Sequence, residues 1–325
     1  MKNVITAIAC AIFAAGISAA MNCGDQVSGN VTLTADLICT SSNGLIVAAD
    51  NTTINLNGHT IQCVGAGYMG SCQIPAGAIP GPWYLGVQSN GYNNVAVVGP
   101  GKIDGFAMGV ALGPGNNLAV KNLAVTGPIV EPVLTQRAAA TGVSLSTTCG
   151  PSTTSPVSAV ISGNEISGQA VGIRLMNSGC IDIHSNIVHD INSVNGEAAG
   201  IHLFSTTGTR VYRNTVTKVG MNKNHDAGIH VEGLTTMHNQ VFGNYVSNNC
   251  GNGISLTDQT SQNNIYSNTA RFNGLPSTTG NSCFVPITEF DDLYESFSGV
   301  NTWNANNTCR TESFKIPVGV CGPNE

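Results

Sequence analysis

Apolar and polar positions in this chain alternate in short bursts of four to six residues, and nowhere after the first twenty residues do they follow a helical period. Bursts of that length, rich in β-branched residues and bounded by glycine and asparagine, predict strands only. One phrase keeps returning: glycine, β-branched residue, variable residue, apolar residue. It reads Gly142-Val-Ser-Leu145, Gly172-Ile-Arg-Leu175, Gly200-Ile-His-Leu203, Gly228-Ile-His-Val231 and Gly253-Ile-Ser-Leu256. Fainter copies stand upstream as Gly44-Leu-Ile-Val47, Gly86-Val-Gln-Ser89 and Gly109-Val-Ala-Leu112.

A second phrase follows in the later part of each repeat, a strand that closes on Asn122, Asn164, Asn186, Asn214, Asn244 or Asn268. Asparagine tolerates the left-handed backbone of a sharp corner, and its amide can bond the amide one repeat above. A fixed phrase at such intervals is the mark of a solenoid. The fold class expected is all-β, a right-handed single-stranded parallel β-helix of about eight coils with small terminal caps. Residues 21–43 are assigned to the amino-terminal cap, 44–274 to the repeats, and 275–325 to a final coil and carboxy-terminal tail.

The segment Ile54-Asn-Leu-Asn-Gly-His-Thr-Ile61 is similar to the first-coil signature of many secreted β-helix proteins. With the repeats, it makes the chain resemble the right-handed parallel β-helix superfamily of pectin-lyase-like proteins, over roughly residues 23–310. That resemblance implies the fold and a polysaccharide partner. Fold alone does not carry an activity.

Residues 1–20 read as a secretory signal, with Lys2, an apolar run from Val4 to Ile17, and the small residues Ser18-Ala-Ala20. A secreted or periplasmic location follows. No other stretch approaches the length of a membrane span. Without Cys10, which lies in that signal, ten cysteines are left, and an even count in an exported chain reads as disulfides. Cys149 and Cys180 follow their coil glycines at nearly the same offset and should meet. Nearest-neighbour pairing then joins Cys23 to Cys39, Cys63 to Cys72, Cys250 to Cys283, and Cys309 to Cys321.

Charged residues make up only 9% of the chain, with a formal net charge of −6. No basic stripe is available for nucleic acid. The scarce charges nevertheless gather on neighbouring coils. Side chains two positions after the glycine point away from the interior and form a column of Ser144, Arg174, His202, His230 and Ser255. A second column, two positions further along, includes Met176, Phe204, Glu232 and Thr257. Asp226 stands two before its glycine, while Glu197, Lys223 and His225 lie in loops entering the same coils. The glycines themselves are expected to leave a flat strip where a polymer could lie.

The chemistry suggested is proton abstraction next to a uronate carboxyl group. His202 and His230 supply neutral imidazoles for general-base work, Arg174 grips the carboxylate, and Glu232 and Asp226 fix the rings. Ser144, Phe204, Ser255, Glu197, Lys223 and His225 are candidates for holding substrate. Lyases and C5-epimerases of the superfamily resemble such an arrangement. A hydrolase would instead use Glu232 and Asp226 as its two carboxylates. The alternative is a non-catalytic carbohydrate-binding or adhesion protein using the same face. Both imidazoles are expected to be reachable by solvent. No metal ligand set and no cofactor is assigned, apart from an acidic patch of Glu289, Asp291, Asp292 and Glu295 that offers oxygen ligands for calcium or, more simply, a solvated tail.

Overall fold

A computed structural model describes residues 21–64, 84–127, 140–147, 149, 157–193, 198–220, 226–274, 291–296, 300–304, 306–310, 316–317 and 319–322. The chain winds as a right-handed parallel β-helix. Each coil gives one strand to each of three ten-stranded sheets. The first sheet runs from Asp25–Val27 to Leu293–Glu295, the second from Asn30–Thr32 to Thr302–Trp303, and the third from Leu37–Cys39 to Thr308–Cys309.

The coil count is therefore ten rather than the eight expected. The coils beyond the eight glycine phrases sit at the ends, one in the segment assigned to the amino-terminal cap and one where a final coil and tail were assigned. Their glycine phrase is diluted there: Asp25 and Gln26 follow Gly24, and Asp292 stands beside Leu293 in the slot after Gly253. An end coil packs on one neighbour only, so its apolar pattern is less constrained.

Interior side chains stack in register from coil to coil. In the second sheet one column climbs through Val31, Ile54, Val97, Val120, Ile161, Ile183, Val211, Val241 and Ile265 to Trp303. Every member is buried. Parallel pairing in identical register repeats each apolar contact, so hydrophobic burial accumulates along the rod.

The repeated glycines face inward, which corrects the expectation of an open strip. A Cβ built on Gly172 would lie 2.4 Å from Val188 Cγ1, and one on Gly200 would lie 2.3 Å from Val216 Cγ1. Both valines belong to the interior column of the third sheet. Glycine recurs because any side chain there would collide with a core methyl.

The asparagine ladder is present, with one adjustment. The left-handed residue is the one before the asparagine: Gly163, Ser185, Arg213, Gly243 and Ser267 all have φ between 53° and 67°. The asparagines themselves are buried and bond upward, Asn164 Nδ2 to Asn186 Oδ1 at 2.9 Å, then Asn186 to Asn214, Asn214 to Asn244 and Asn244 to Asn268 at 3.0 Å. Asn122 occupies the left-handed slot instead, with φ 56°.

Two shorter ladders end on carboxylates. Asn249 donates to Asn273, and Asn273 donates to Asp292 Oδ1 at 2.8 Å. Asn263 donates to Asn301, and Asn301 donates to Glu295 Oε1 at 2.8 Å, while Trp303 Nε1 donates to Glu295 Oε2 at 2.6 Å. A carboxylate only accepts, so it absorbs the last donors of a ladder without needing a partner above. Asp292 and Glu295 are each 1% exposed, so the expected solvated or calcium-binding tail is in fact a pair of internal caps. Glu289 lies outside the described residues.

Disulfides join Cys23 to Cys39, Cys149 to Cys180 and Cys309 to Cys321, as the solenoid register requires. Cys63 and Cys250 are also disulfide-bonded. The partners expected for them, Cys72 and Cys283, lie outside the described residues.

Candidate functional site

The column of scarce charges forms on the outer side of the first sheet. In the strands Thr141–Leu145, Val171–Met176, Ala199–Phe204, Ala227–Glu232 and Asn252–Leu256, register pairs Ser144 with Arg174, Arg174 with His202, His202 with His230, and His230 with Ser255. Interior positions alternate with them, Ile201 and Leu203 in one strand and Ile229 and Val231 in the next, so both imidazoles point away from the hydrophobic core. The neighbouring column aligns Met176, Phe204 and Glu232.

The two imidazoles stack with centroids 5.2 Å apart and planes 10° from parallel. Glu232 reaches across the coils to both. His202 Nε2 lies 2.8 Å from Glu232 Oε1, and His230 Nε2 lies 3.7 Å from Glu232 Oε2. His230 Nε2 is also 2.9 Å from Thr257 Oγ1. The Phe204 ring meets His202 edge-on at 6.3 Å.

Solvent access differs from expectation. His202 is 1% and His230 2% exposed, so neither ring is open to water. Stacking explains much of this, because in a parallel coil each ring covers the next, and Glu232 and Thr257 close over the ring edges. Arg174 and Glu232 are the half-buried members, and Ser144 is half-buried below them, whereas Ser255 is buried above.

Burial alone would push the Glu232 carboxyl up. The His202 hydrogen bond and the charges of His230, His202 and Arg174 outweigh it and hold the carboxyl below its ordinary 4.5. Glu232 is thus ionised at neutral pH. Two protonated imidazoles at this spacing would repel by roughly 1–3 kcal/mol at effective dielectrics between 20 and 80, so the pair favours at most one charge.

Asp226 is buried, and its Oδ1 accepts a hydrogen bond from the Ala198 backbone at 2.8 Å, a contact that ties the start of one coil to the next. Glu197, Lys223 and His225 lie outside the described residues. Thr257, which the sequence reading left out of the site, belongs in it. It stands four residues after Gly253 as Glu232 stands four after Gly228, and that equality of offset was the signal.

A further feature went unread. Two residues before the ladder asparagines, on the outer side of the second sheet, His184, Tyr212, Phe242 and Tyr266 stack face to face. Their centroids are 4.8, 5.0 and 4.9 Å apart, with the last two planes within 4° of parallel.

Several known proteins share parts of this architecture. The lacto-N-biosidase from Eubacterium ramulus aligns with 88% of this chain and 63% of its own, at 10% identity and a TM-score of 0.45. The A-module of a mannuronan C-5 epimerase from Azotobacter vinelandii aligns over 91% of both chains, at 12% identity and a TM-score of 0.44. The tailspike of the Escherichia coli bacteriophage HK620 aligns with 86% of this chain and 46% of its own, at 12% identity and a TM-score of 0.42. This chain thus spans less than two-thirds of the biosidase and less than half of that tailspike. No curated protein sequence matches it. The family model described as periplasmic copper-binding protein (NosD) matches residues 103–274, which is over half of the chain. On that match, and on the coils that carry it, the chain belongs to the NosD family of right-handed β-helix proteins.

Proposed function

We propose that the protein is an exported β-helix protein acting on an acidic, uronate-containing polysaccharide, with Glu232 between His202 and His230 as its proton-transfer centre. The observation that supports it most is the placing of an ionised, half-buried carboxylate against two stacked imidazoles beside a lone arginine. The intended reaction is β-elimination or C5-epimerisation. An oxidising compartment accords with the disulfides, and among the described residues no helix is long and apolar enough to cross a membrane.

In this reading Arg174 engages the substrate carboxylate, and Glu232, half-buried where both imidazoles are buried, takes the adjacent proton. We assign His202 Nε2–H as a donor that orients Glu232, and His230 Nε2, facing the Thr257 hydroxyl and Glu232 Oε2, as the nitrogen that receives the proton onward. The electron pair left on carbon moves into the carboxylate as an enolate next to Arg174. It then expels the neighbouring glycosidic oxygen, which takes up the proton passed to His230, or it recovers a proton from water on the opposite face while His230 returns its own to solvent.

The family description raises copper. His202, His230 and Glu232 do gather ligand atoms within 4.8 Å of one another, and two imidazoles with a carboxylate suit copper or zinc in kind. Their directions do not suit it. Imidazole lone pairs lie in the ring plane, and two rings stacked at 5.2 Å and 10° send them side by side rather than toward one point. The residues do not form a two-histidine copper site in this conformation, and no step here runs through a metal.

The test is a screen of pectate, alginate and glycosaminoglycans for new unsaturated ends by ultraviolet absorbance and for changed uronate stereochemistry by NMR. Product formation by the wild type and its loss in Glu232→Gln support the reading. Retention on one of these polymers with no change in it would move the protein to the non-catalytic carbohydrate-binding alternative.

A further inference from the structure

The aromatic ladder of the second sheet stops abruptly. His184, Tyr212 and Phe242 each have a ring stacked above them, but the residue in register above Tyr266 is Asn304, because Ile265 pairs with Trp303. One face of Tyr266 lies on Phe242, 4.9 Å away and within 1° of parallel. The other face borders a shallow concavity of about 550 Å³ lined by Asn264, Tyr266, Asn304 and Asn306.

Among the described residues that lining is one aromatic ring and three carboxamides, with no charged group. The amides are already braced: Asn304 Nδ2 donates to Asn264 Oδ1 at 2.7 Å, Asn306 Nδ2 donates to Ser267 Oγ at 2.7 Å, and Asn306 Oδ1 accepts from the Ser267 backbone at 3.0 Å. Tyr266 is held by its stack and by a long contact from its hydroxyl to Gln240 Oε1 at 3.4 Å. A rigid ring face beside pre-oriented neutral donors and acceptors is matched by a molecule with an apolar face and a rim of hydroxyls. It offers no counter-charge to a carboxylate or a cation, and the size falls within the range of small-ligand sites.

We propose that this concavity is a binding subsite for an uncharged sugar residue, stacked on the free face of Tyr266 and hydrogen-bonded by Asn264, Asn304 and Asn306. It is on a different sheet from the proton-transfer column and requires none of the roles assigned there. It rests on the carbohydrate part of the proposed function only.

The experiment is affinity electrophoresis of the full chain through gels containing a neutral polymer, with glucomannan, xylan, galactan and dextran as the probes and pectate as the charged comparison. The wild type should be retarded by at least one neutral polymer. Tyr266→Ala should weaken that retardation roughly tenfold or more, the loss typical of a stacked aromatic anchor, while Tyr266→Phe should keep it. Asn306→Asp places a charge in the subsite without touching the ring stack and should weaken binding too, which covers the case of a Tyr266→Ala chain that fails to fold. Glu232→Gln should bind neutral polymer as the wild type does, even if it has lost all action on uronates. No retardation by any neutral polymer, or unchanged retardation in Tyr266→Ala or Asn306→Asp, would overturn the proposal.

Discussion

Two columns of stacked rings stand on different sheets of the same rod, and they have opposite surroundings. His202 and His230 stack at 5.2 Å on the first sheet; Tyr212, Phe242 and Tyr266 stack at 5.0 and 4.9 Å on the second. One geometry serves both, because parallel coils set the spacing. The chemistry is decided by the neighbouring column. Beside the histidines stands Glu232, which turns the stack into a buried acid–base group. Beside the upper rings, Phe242 and Tyr266, stand Gln240 and Asn264, which leave that end of the stack neutral and half-exposed, while Arg210, paired with Asp182, lies over Tyr212 lower down. In a solenoid a stack is a product of the repeat, and a function needs the residue next to it.

The sharpest way to break this contrast is to remove the carboxylate from one stack and the end ring from the other. Glu232→Gln should reduce turnover on a uronate polymer by about a hundredfold or more if it is the proton acceptor. Tyr266→Ala should leave that turnover within about twofold. Similar losses in both would mean that the two faces share a single function.

Stability probes come next. Asn214→Ala removes an amide that bonds Asn244, the Ile183 carbonyl and Asn186, leaving buried donors without acceptors. Chemical denaturation should show a loss of about 2–4 kcal/mol. Gly200→Ala forces a methyl against Val216 and should cost about 1–3 kcal/mol. A neutral result there would contradict the inward-facing glycine column.

A finer test uses pH. Glu232 is held below its ordinary 4.5, so the stability it contributes is complete above that value and is lost as pH falls through the lowered one. Glu295 is shifted the other way, chiefly by burial against the bonds from Asn301 and Trp303, so its ionisation destabilises the fold as pH rises above 4.5. Melting curves across this range should show Glu232→Gln removing part of the wild type's loss at acid pH. Glu295→Gln should remove part of its loss on the alkaline side. The smallest effect is expected for Ser144→Ala, at the open foot of the histidine column, with less than about a twofold change in turnover.

Much of the architecture was legible because a solenoid writes its contacts into its period. The glycine phrase placed Arg174, His202 and His230 in one column, and the offsets of Cys149 and Cys180 paired them. What escaped depends on neighbours rather than on period. The burial of His202 and His230 comes from stacking and from Glu232 and Thr257 closing over their edges. The inward glycines answer to valines of another sheet, such as Val188 and Val216. Asp292 and Glu295 read as a solvated acidic patch because nothing in their own segment announces the asparagine ladders they end. The amino-terminal coil, read as a cap, was hidden because an end coil packs on one neighbour only.

Solvent deuterium incorporation tests the central claim most directly, since elimination and epimerisation both begin by removing the proton beside the uronate carboxyl group. Wild type and Tyr266→Ala, incubated in D₂O with each of the three uronate polymers, should form unsaturated ends or exchange that carbon-bound proton on at least one of them. His230→Ala should do neither at a comparable rate. Absence of both from the wild type on all three polymers, or equal rates in His230→Ala, would contradict the assignment of the first-sheet column as a proton-transfer centre.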